Sequence, residues 1–589
     1  MLLPVPVHFS QATTHGWCYK GNMDEDNSGW RGRMAARDGL CALVRRLFRL
    51  WSLLLAVALS TAASAQPAAV ARPMSFAGTF GGGYGGPDTF VYTRIQLEGE
   101  AALTGTISQP FDRTDSPAIT GITQDGSRLR FEASGLRFDL HRIATGLQGT
   151  VQPPGGPPQP AWFAKRAGPV PVEQVARYEG TYALGGGRLL VLARGGDTST
   201  LYYLEQPSGR TGFLFNLSNT EFIAGPCIYC AGPERLRVRL LPDTNGGPGP
   251  RIAVRLEGRE QVLSRVTTYR AEEVSFLSRD GTRLAGTLFL PARGGRHAAV
   301  ALVHGSGPAG RNGFYGHMRF LAEAYARRGI AALIYGKRGT DGSGGDWEQA
   351  NLDDLAEDAA AGLRYLAGRA DIRADRLGLA GSSQAGWIIP MAATRFPGVR
   401  ILQTRSGSAP MGVEQSERMR LERQMRSDGL PQAEIDQALR LRAMMDDYAR
   451  TGQGWDQLAA AAEAAKDTLW MSSYIGLGSG FPARDAPDWP WLREAFGYDV
   501  GVDLARFRGS IQVLYGAKDE LLDYAEPMAL LRRALRGGAA RDVQIAVIPN
   551  ANHNGLQAVA GTEREFPRLQ RFTPRYFDRI VDWAARHLR

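Results

Sequence analysis

From about residue 270 onward, short apolar runs alternate with longer stretches of helical periodicity. Ala298–Val303, Ile330–Ile334, Leu377–Ala380, Val399–Thr404, Ile511–Tyr515 and Val543–Ile548 are the apolar runs, and most lack polar alternation. Runs of this kind suit strands covered on both faces, as in a parallel sheet. Met318–Arg328, Ala350–Gly368, Ala385–Arg395 and Leu522–Leu535 carry helical spacing between them. Alternating strands and helices predict a doubly wound, mostly parallel α/β sheet that places ligands beyond the C-terminal ends of its strands. Glu273–Phe276 and Leu284–Leu290, joined through Asp280-Gly281, predict an antiparallel hairpin that starts the sheet.

Two other textures flank and interrupt this pattern. Residues 411–500 are helix-rich, with apolar spacing over Val413–Ser427, Pro431–Thr451 and Trp455–Tyr474. Their Met and aromatic residues either line an adaptable apolar pocket or form the insertion's own core. Residues 74–266 alternate β-like runs, such as Thr89–Leu97, Leu201–Leu204 and Leu236–Leu241, with Gly, Asp, Pro and Asn turns. That predicts an all-β N-terminal region of two sandwich- or barrel-like modules, 74–166 and 172–266. Pro153-Pro154-Gly155-Gly156-Pro157-Pro158 is either a linker or a hairpin loop. No repeat period is visible, and about 200 residues is short for a propeller of ~40–50 residues per blade. The α/β pattern, with the helix-rich insertion inside it, therefore occupies 267–589.

The N-terminal pattern is different again. Arg45-Arg46-Leu47-Phe48-Arg49 precedes the apolar run Leu50–Leu59, and Ala63-Ser64-Ala65 offers a small-x-small cleavage site. Residues 1–65 therefore read as a secretory signal peptide, with Met34 a candidate true start, and the expected location is secreted or periplasmic. The whole chain carries 69 Lys+Arg against 59 Asp+Glu, a net charge of +10. Without residues 1–65 the balance is +7, mostly dispersed Arg, which argues against nucleic-acid binding. The apolar run is too short for a stable membrane span. The two cysteines left, Cys227 and Cys230, have no second pair or His cluster beside them. In an exported protein their expected state is a local disulfide.

Candidate chemistry centres on Leu377-Gly378-Leu379-Ala380-Gly381-Ser382-Ser383-Gln384-Ala385-Gly386-Trp387. A strand that runs straight into a serine can present its hydroxyl on a sharp strand-to-helix turn, provided the residues two away are small. Gly381 and Ala385 meet that condition for Ser383, whereas Gln384 is too bulky to flank Ser382 in the same way. A serine nucleophile needs a base, and the base needs an acid to fix its tautomer. Of eight histidines, His8 and His15 precede the cleavage point, and His141, His297 and His587 lie in other contexts, leaving His304, His317 and His553. His553 follows the strand Val543–Ile548 and is the expected base. Asp519 follows the strand Ile511–Tyr515 and is the expected acid, with Asp523 and Glu520 as alternatives. The order Ser383, Asp519, His553 is that of an α/β-hydrolase. Backbone N–H groups of Gln384 and Ser306, with Gly307 as the alternative to Ser306, are the expected oxyanion donors. His304 then orients their loop, and Trp387, His304 and Gly307 are candidate substrate-contacting residues.

Residues from about 270 to the C-terminus resemble α/β-hydrolases, in particular secreted bacterial esterases and dienelactone-hydrolase-like proteins. The likeness rests on His304-Gly305-Ser306-Gly307-Pro308, Tyr335-Gly336-Lys337-Arg338-Gly339-Thr340-Asp341-Gly342-Ser343, Gly381–Gly386, Gly516–Asp519, Asn552–Asn554 and a closing helix, Tyr576–Leu588. Similar sequences often carry Asp at the position of Gly336. The resemblance implies ester or thioester hydrolysis without metal or organic cofactor, and a helical cap formed by 411–500. A related branch, the prolyl-oligopeptidase-like and aminopeptidase-like hydrolases, implies peptide cleavage instead, for which Glu414, Glu417 and Glu422 are candidate ammonium ligands. A non-catalytic binding protein on the same scaffold is the reading outside enzymes. The expected partner is a small ester or short peptide.

Overall fold

A computed structural model describes residues 75–99, 102–111, 117–196, 198–242, 250–407, 410–475, 481–486 and 488–589. The expected signal peptide lies outside the described residues. Residues 78–264 form two antiparallel sheets of eight strands each. In the first, Thr106 bridges to Ala118 and Ile119 donates to the Gly105 carbonyl at 2.9 Å, so the sheet's two ends meet. In the second, Tyr182 bridges to Arg265 and Val266 donates to the Thr181 carbonyl at 2.8 Å. Both sheets therefore close as up-and-down barrels, which removes their free edges. The 153–158 segment is the hairpin loop between strands Gly146–Gln152 and Gln159–Arg166. The barrels are side-chain filled. Tyr182, Leu192, Tyr203, Val238 and Val254 pack inside the second, with Val175 of a short helix, Val172–Ala176, against them.

The third sheet holds β1 (Tyr269–Leu277), β2 (Arg283–Pro291), β3 (His297–Val303), β4 (Ile330–Tyr335), β5 (Ile372–Ser382), β6 (Val399–Arg405), β7 (Ser510–Gly516) and β8 (Asp542–Ile548). Its order is β1-β2-β4-β3-β5-β6-β7-β8. β1 and β2 pair antiparallel, and β2 joins β4 antiparallel. From β4 to β8 every pairing is parallel. Helices α1 (His317–Arg327), α2 (Leu352–Ala367), α3 (Ala385–Arg395), α9 (Ala525–Ala534) and α10 (Tyr576–His587) connect or close it. α1 and α10 bury their apolar sides on one face, α2 and α3 on the other. A polar ladder crosses the buried sheet: Tyr325 donates to Gln403, Gln403 to Gln512 and Gln512 to Gln544, at 2.6, 2.8 and 2.7 Å. The three glutamines occupy one register row of β6, β7 and β8.

Between β6 and β7 lie α4 (Val413–Ser427), α5 (Gln432–Thr451), α6 (Trp455–Ala465), α7 (Asp488–Phe496) and α8 (Val500–Arg506). The helical stretch thus runs past Val500, the expected boundary. The helix expected over Trp455–Tyr474 stops at Ala465. Thr468 donates both its amide and its hydroxyl to the Ala465 carbonyl, at 2.9 and 2.7 Å, competing with continued helix. The helix expected from Leu522 begins at Ala525, because Asp519 accepts from the Leu521 and Leu522 amides and Asp523 from that of Ala525. Tyr448, Trp455, Phe481 and Trp489 pack on one another, with ring centroids 4.9–6.5 Å apart. These aromatics form the insertion's own core.

Candidate active site

Ser383 sits where β5 breaks into α3, at φ +57°. A non-glycine residue in this left-handed region is strained, and such strain concentrates at functional sites. The turn is tightly held: Ser383 N donates to the Arg405 carbonyl of β6 at 2.9 Å, and Gly386 N to the Ser383 carbonyl at 2.8 Å. The flanks are small for a steric reason. A Cβ on Gly381 would lie 2.5 Å from the Ala385 Cβ and 2.6 Å from the Val303 carbonyl oxygen.

Asp519 and His553 come together from the ends of β7 and β8. Lys518 N donates to the Ala551 carbonyl at 2.8 Å, and a Cβ on Gly516 would lie 2.4 Å from the Ala551 oxygen, so the two loops touch along their backbones. His553 Nδ1 lies 2.9 and 3.0 Å from the two Asp519 oxygens. A carboxylate there accepts, so Nδ1 carries the proton and Nε2 is left as the basic nitrogen. Asp519 is 3% exposed and also accepts two backbone N–H groups. Burial works against the imidazolium, but the charge and hydrogen bond of Asp519, with the Glu520 charge behind them, outweigh it and hold His553 above its ordinary value. Asp523 N meets the Met419 sulfur, and the Asp523 carboxylate pairs with Arg423. Glu520 accepts from Ser427, and burial, then the Asp428 and Glu563 charges, push it up to about 7. Of the three acids considered, Asp519 is the one hydrogen-bonded to His553.

The loop after β3 runs beside the serine. A Cβ on Gly305 would sit 3.4 Å from the Ser383 Cβ. Among the described residues, the amides of Ser306 and Gln384 have no internal hydrogen-bond partner. Beneath them Lys337, 4% exposed, donates to the Gly305 carbonyl at 2.7 Å, the Gly307 carbonyl at 2.9 Å and Gln384 Oε1 at 3.1 Å. Sequence reasoning quoted the segment holding Lys337 without giving the side chain a role. Its only signal is a lone lysine one glycine beyond a buried strand. Gly336 is enforced there, since a Cβ would lie 2.4 Å from the Thr340 carbonyl oxygen.

The expected substrate contacts are mostly packed away. Trp387 is buried and donates its indole N–H to the Met411 carbonyl at 2.8 Å, tying α3 to the start of the helical insertion. His304 is buried edge-on to Tyr335, and burial, then the Lys337 and His317 charges, push it down to about 3. His317 Nδ1 donates to the Phe314 carbonyl, and burial, then the Arg405 charge, push it down to about 4. Neither is placed to serve as the base. Arg423 of α4, which sequence reasoning passed over, donates to the carbonyls of Asp519 at 3.1 Å and Glu520 at 3.3 Å. Among the described residues no group of three or more His, Cys, Asp or Glu is arranged to hold a metal ion. No described helix is long and apolar enough to cross a membrane.

The sharp serine turn and the chain order serine, acid, histidine, each after a strand of one mostly parallel sheet, resemble those of α/β-hydrolases. Residues 280–475 match the family model described as X-Pro dipeptidyl-peptidase (S15 family), about a third of the chain. Similar solved structures include an esterase of Pyrococcus furiosus, at 15% identity over 55% of this chain and 92% of that one, with a TM-score of 0.37. A hypothetical protein from Pseudomonas aeruginosa is 17% identical over 55% of this chain and 95% of its own, TM-score 0.35. Est1E from Butyrivibrio proteoclasticus, solved with ferulic acid bound, is 15% identical over 53% and 97%, TM-score 0.33. No curated protein matches the sequence.

Proposed function

We propose that this chain is an exported serine hydrolase that cleaves carboxylic esters through an acyl-enzyme. The observation that carries the reading is the strained Ser383 turn at the C-terminal end of its strand, the same end of the sheet at which the His553–Asp519 pair lies. Ser383 Oγ attacks the acyl carbon while His553 Nε2 takes its proton. Asp519 holds Nδ1–H and stabilises the imidazolium. The Ser306 and Gln384 amides receive the oxyanion. His553 then returns the proton to the leaving alcohol, and water, activated by the same histidine, releases the acid. Helices α4–α8 act as a cap over the serine, latched to the acid's loop by Arg423 and to α3 by Trp387. The barrel modules belong to the same exported chain.

Peptide cleavage is the second reading, favoured by the family match over 280–475. The three glutamates considered as ammonium ligands are each engaged with arginine: Glu414 with Arg450, Glu417 with Arg420 and Glu422 with Arg426. The experiment that decides compares p-nitrophenyl acetate, butyrate and octanoate with a panel of aminoacyl-p-nitroanilides. Dominant ester turnover is expected. Dominant anilide turnover would move the protein to the peptidase reading, and equal trivial rates with Ser383→Ala would leave a binding protein.

A further inference from the structure

The Lys337 ammonium is buried against three acceptors and no carboxylate. A buried charge of this kind is costly, and surface packing offers no return for it. What its three bonds accomplish is geometric. The Gly305 carbonyl and the Ser306 N–H belong to one planar trans peptide, so they point in opposite directions. Holding that carbonyl on a cation beneath the loop aims the Ser306 N–H the other way, on a loop whose Gly305 lies beside Ser383. It also polarises the peptide and makes the N–H a stronger donor. The Gly307 carbonyl fixes the far side of Ser306, where φ of +77° at Gly307 leaves a loop with little rigidity of its own. The third bond reaches the side-chain oxygen of Gln384, the residue whose backbone N–H is the other donor. One side chain thus spans both halves of the oxyanion hole.

We propose that Lys337 is the positioning residue of the oxyanion hole, aligning the Ser306 donor and coupling it to the Gln384 half. The assignment rests on the serine-hydrolase reading above. Burial, offset in part by the Asp358 charge, pushes Lys337 down to about 7, and His304 is the other titratable group bearing on it. Asp358 itself is occupied by Arg338 at 2.7 Å. Lys337 therefore answers to the three oxygens rather than to an ion-pair partner.

The test is steady-state kinetics on p-nitrophenyl butyrate for wild type, Lys337→Met and Lys337→Gln. Rates are normalised to active sites titrated with a fluorophosphonate, and folding is followed by thermal melting. Removing an oxyanion donor outright costs about 10²–10³ in kcat. Loosening one through Lys337→Met is expected to lower kcat per titrated site by about 10–100-fold with KM changed less than about threefold. Lys337→Gln, which keeps two donors, should recover part of the loss. A variant that melts cooperatively yet no longer labels counts with this result, because phosphonylation uses the same hole. A kcat per site within about threefold of wild type for Lys337→Met would overturn the assignment. So would loss of cooperative melting in both variants, which would make Lys337 a folding residue. Failure of wild type to label would instead strike the serine-hydrolase reading.

Discussion

At the scale of single residues, reactivity turns on the proton of His553. His553 binds it more tightly in the folded chain than in the unfolded one. The His553–Asp519 pair therefore adds stability that is fully present below about pH 6.5 and fades as pH rises through the higher folded value. Activity runs the opposite way, since the base must be neutral. The acidic limb of kcat/KM against pH is expected to lie above pH ~6.5 in wild type. Asp519→Asn removes both the charge and the tautomer control, and should cost about 10³–10⁴ in kcat while moving that limb down. A pH–rate series on both proteins reads this directly; an unmoved limb would show that Asp519 does not govern His553.

Elements explain why the serine can be where it is. β5 meets α3 only if nothing larger than hydrogen stands at Gly381, whose missing Cβ would overlap Ala385 and β3. Gly381→Ala is expected to cost about 1–3 kcal/mol, read as a lower midpoint in urea, and to reduce activity further by shifting Ser383. This corner was legible in the sequence because it is local: an apolar run, two small flanks and a serine between them. Asp519 and His553 were legible for the same reason, each following a strand-like run. Three features were not. Lys337 acts on loops more than thirty residues away, and nothing in its neighbours announces which carbonyls will surround it. The glutamine ladder sits in strands that read as apolar, and its partners are set by register across 140 residues of intervening chain. Arg423 lies on a helix that the sequence offers as charged surface, and only the docking of α4 beside the acid's loop brings its guanidinium to the Asp519 and Glu520 carbonyls. Arg423→Ala removes two hydrogen bonds to backbone carbonyls, worth about 1 kcal/mol each, and should lower the denaturant midpoint accordingly and kcat/KM by about 3–30-fold in ester kinetics.

Over the whole molecule the barrels and the catalytic sheet share one buried interior. Glu179 of the second barrel accepts from Arg194 at 3.0 Å and Asn312 at 2.7 Å and lies 3.6 Å from Arg319 of α1, while Thr181 donates to Glu323 at 2.6 Å. The Cys227–Cys230 disulfide closes a loop whose Ile228 and Tyr229 amides donate to the carbonyls of Leu569 and Pro567. Tyr229 and Phe111 pack on Phe566, joining both barrels to the segment after the His553 loop. Texture in the sequence marked where the modules change but not that they fuse, since the residues that join them lie at large separations. Glu179→Ala strands the buried Arg194 guanidinium, while Arg319 keeps Glu323 at 2.9 Å, and is expected to cost about 3–5 kcal/mol in a denaturant melt. Because the sheet and the barrels unfold as one body in this account, activity should disappear together with barrel fluorescence in a single transition; two separated transitions would contradict it. The central claim remains the nucleophile. Its most direct test is mass spectrometry of the protein after reaction with a fluorophosphonate. One equivalent of adduct is expected, on the peptide containing Ser383, with neither adduct nor ester turnover in Ser383→Ala. Undiminished turnover in that variant, or an adduct on another residue, would contradict the account.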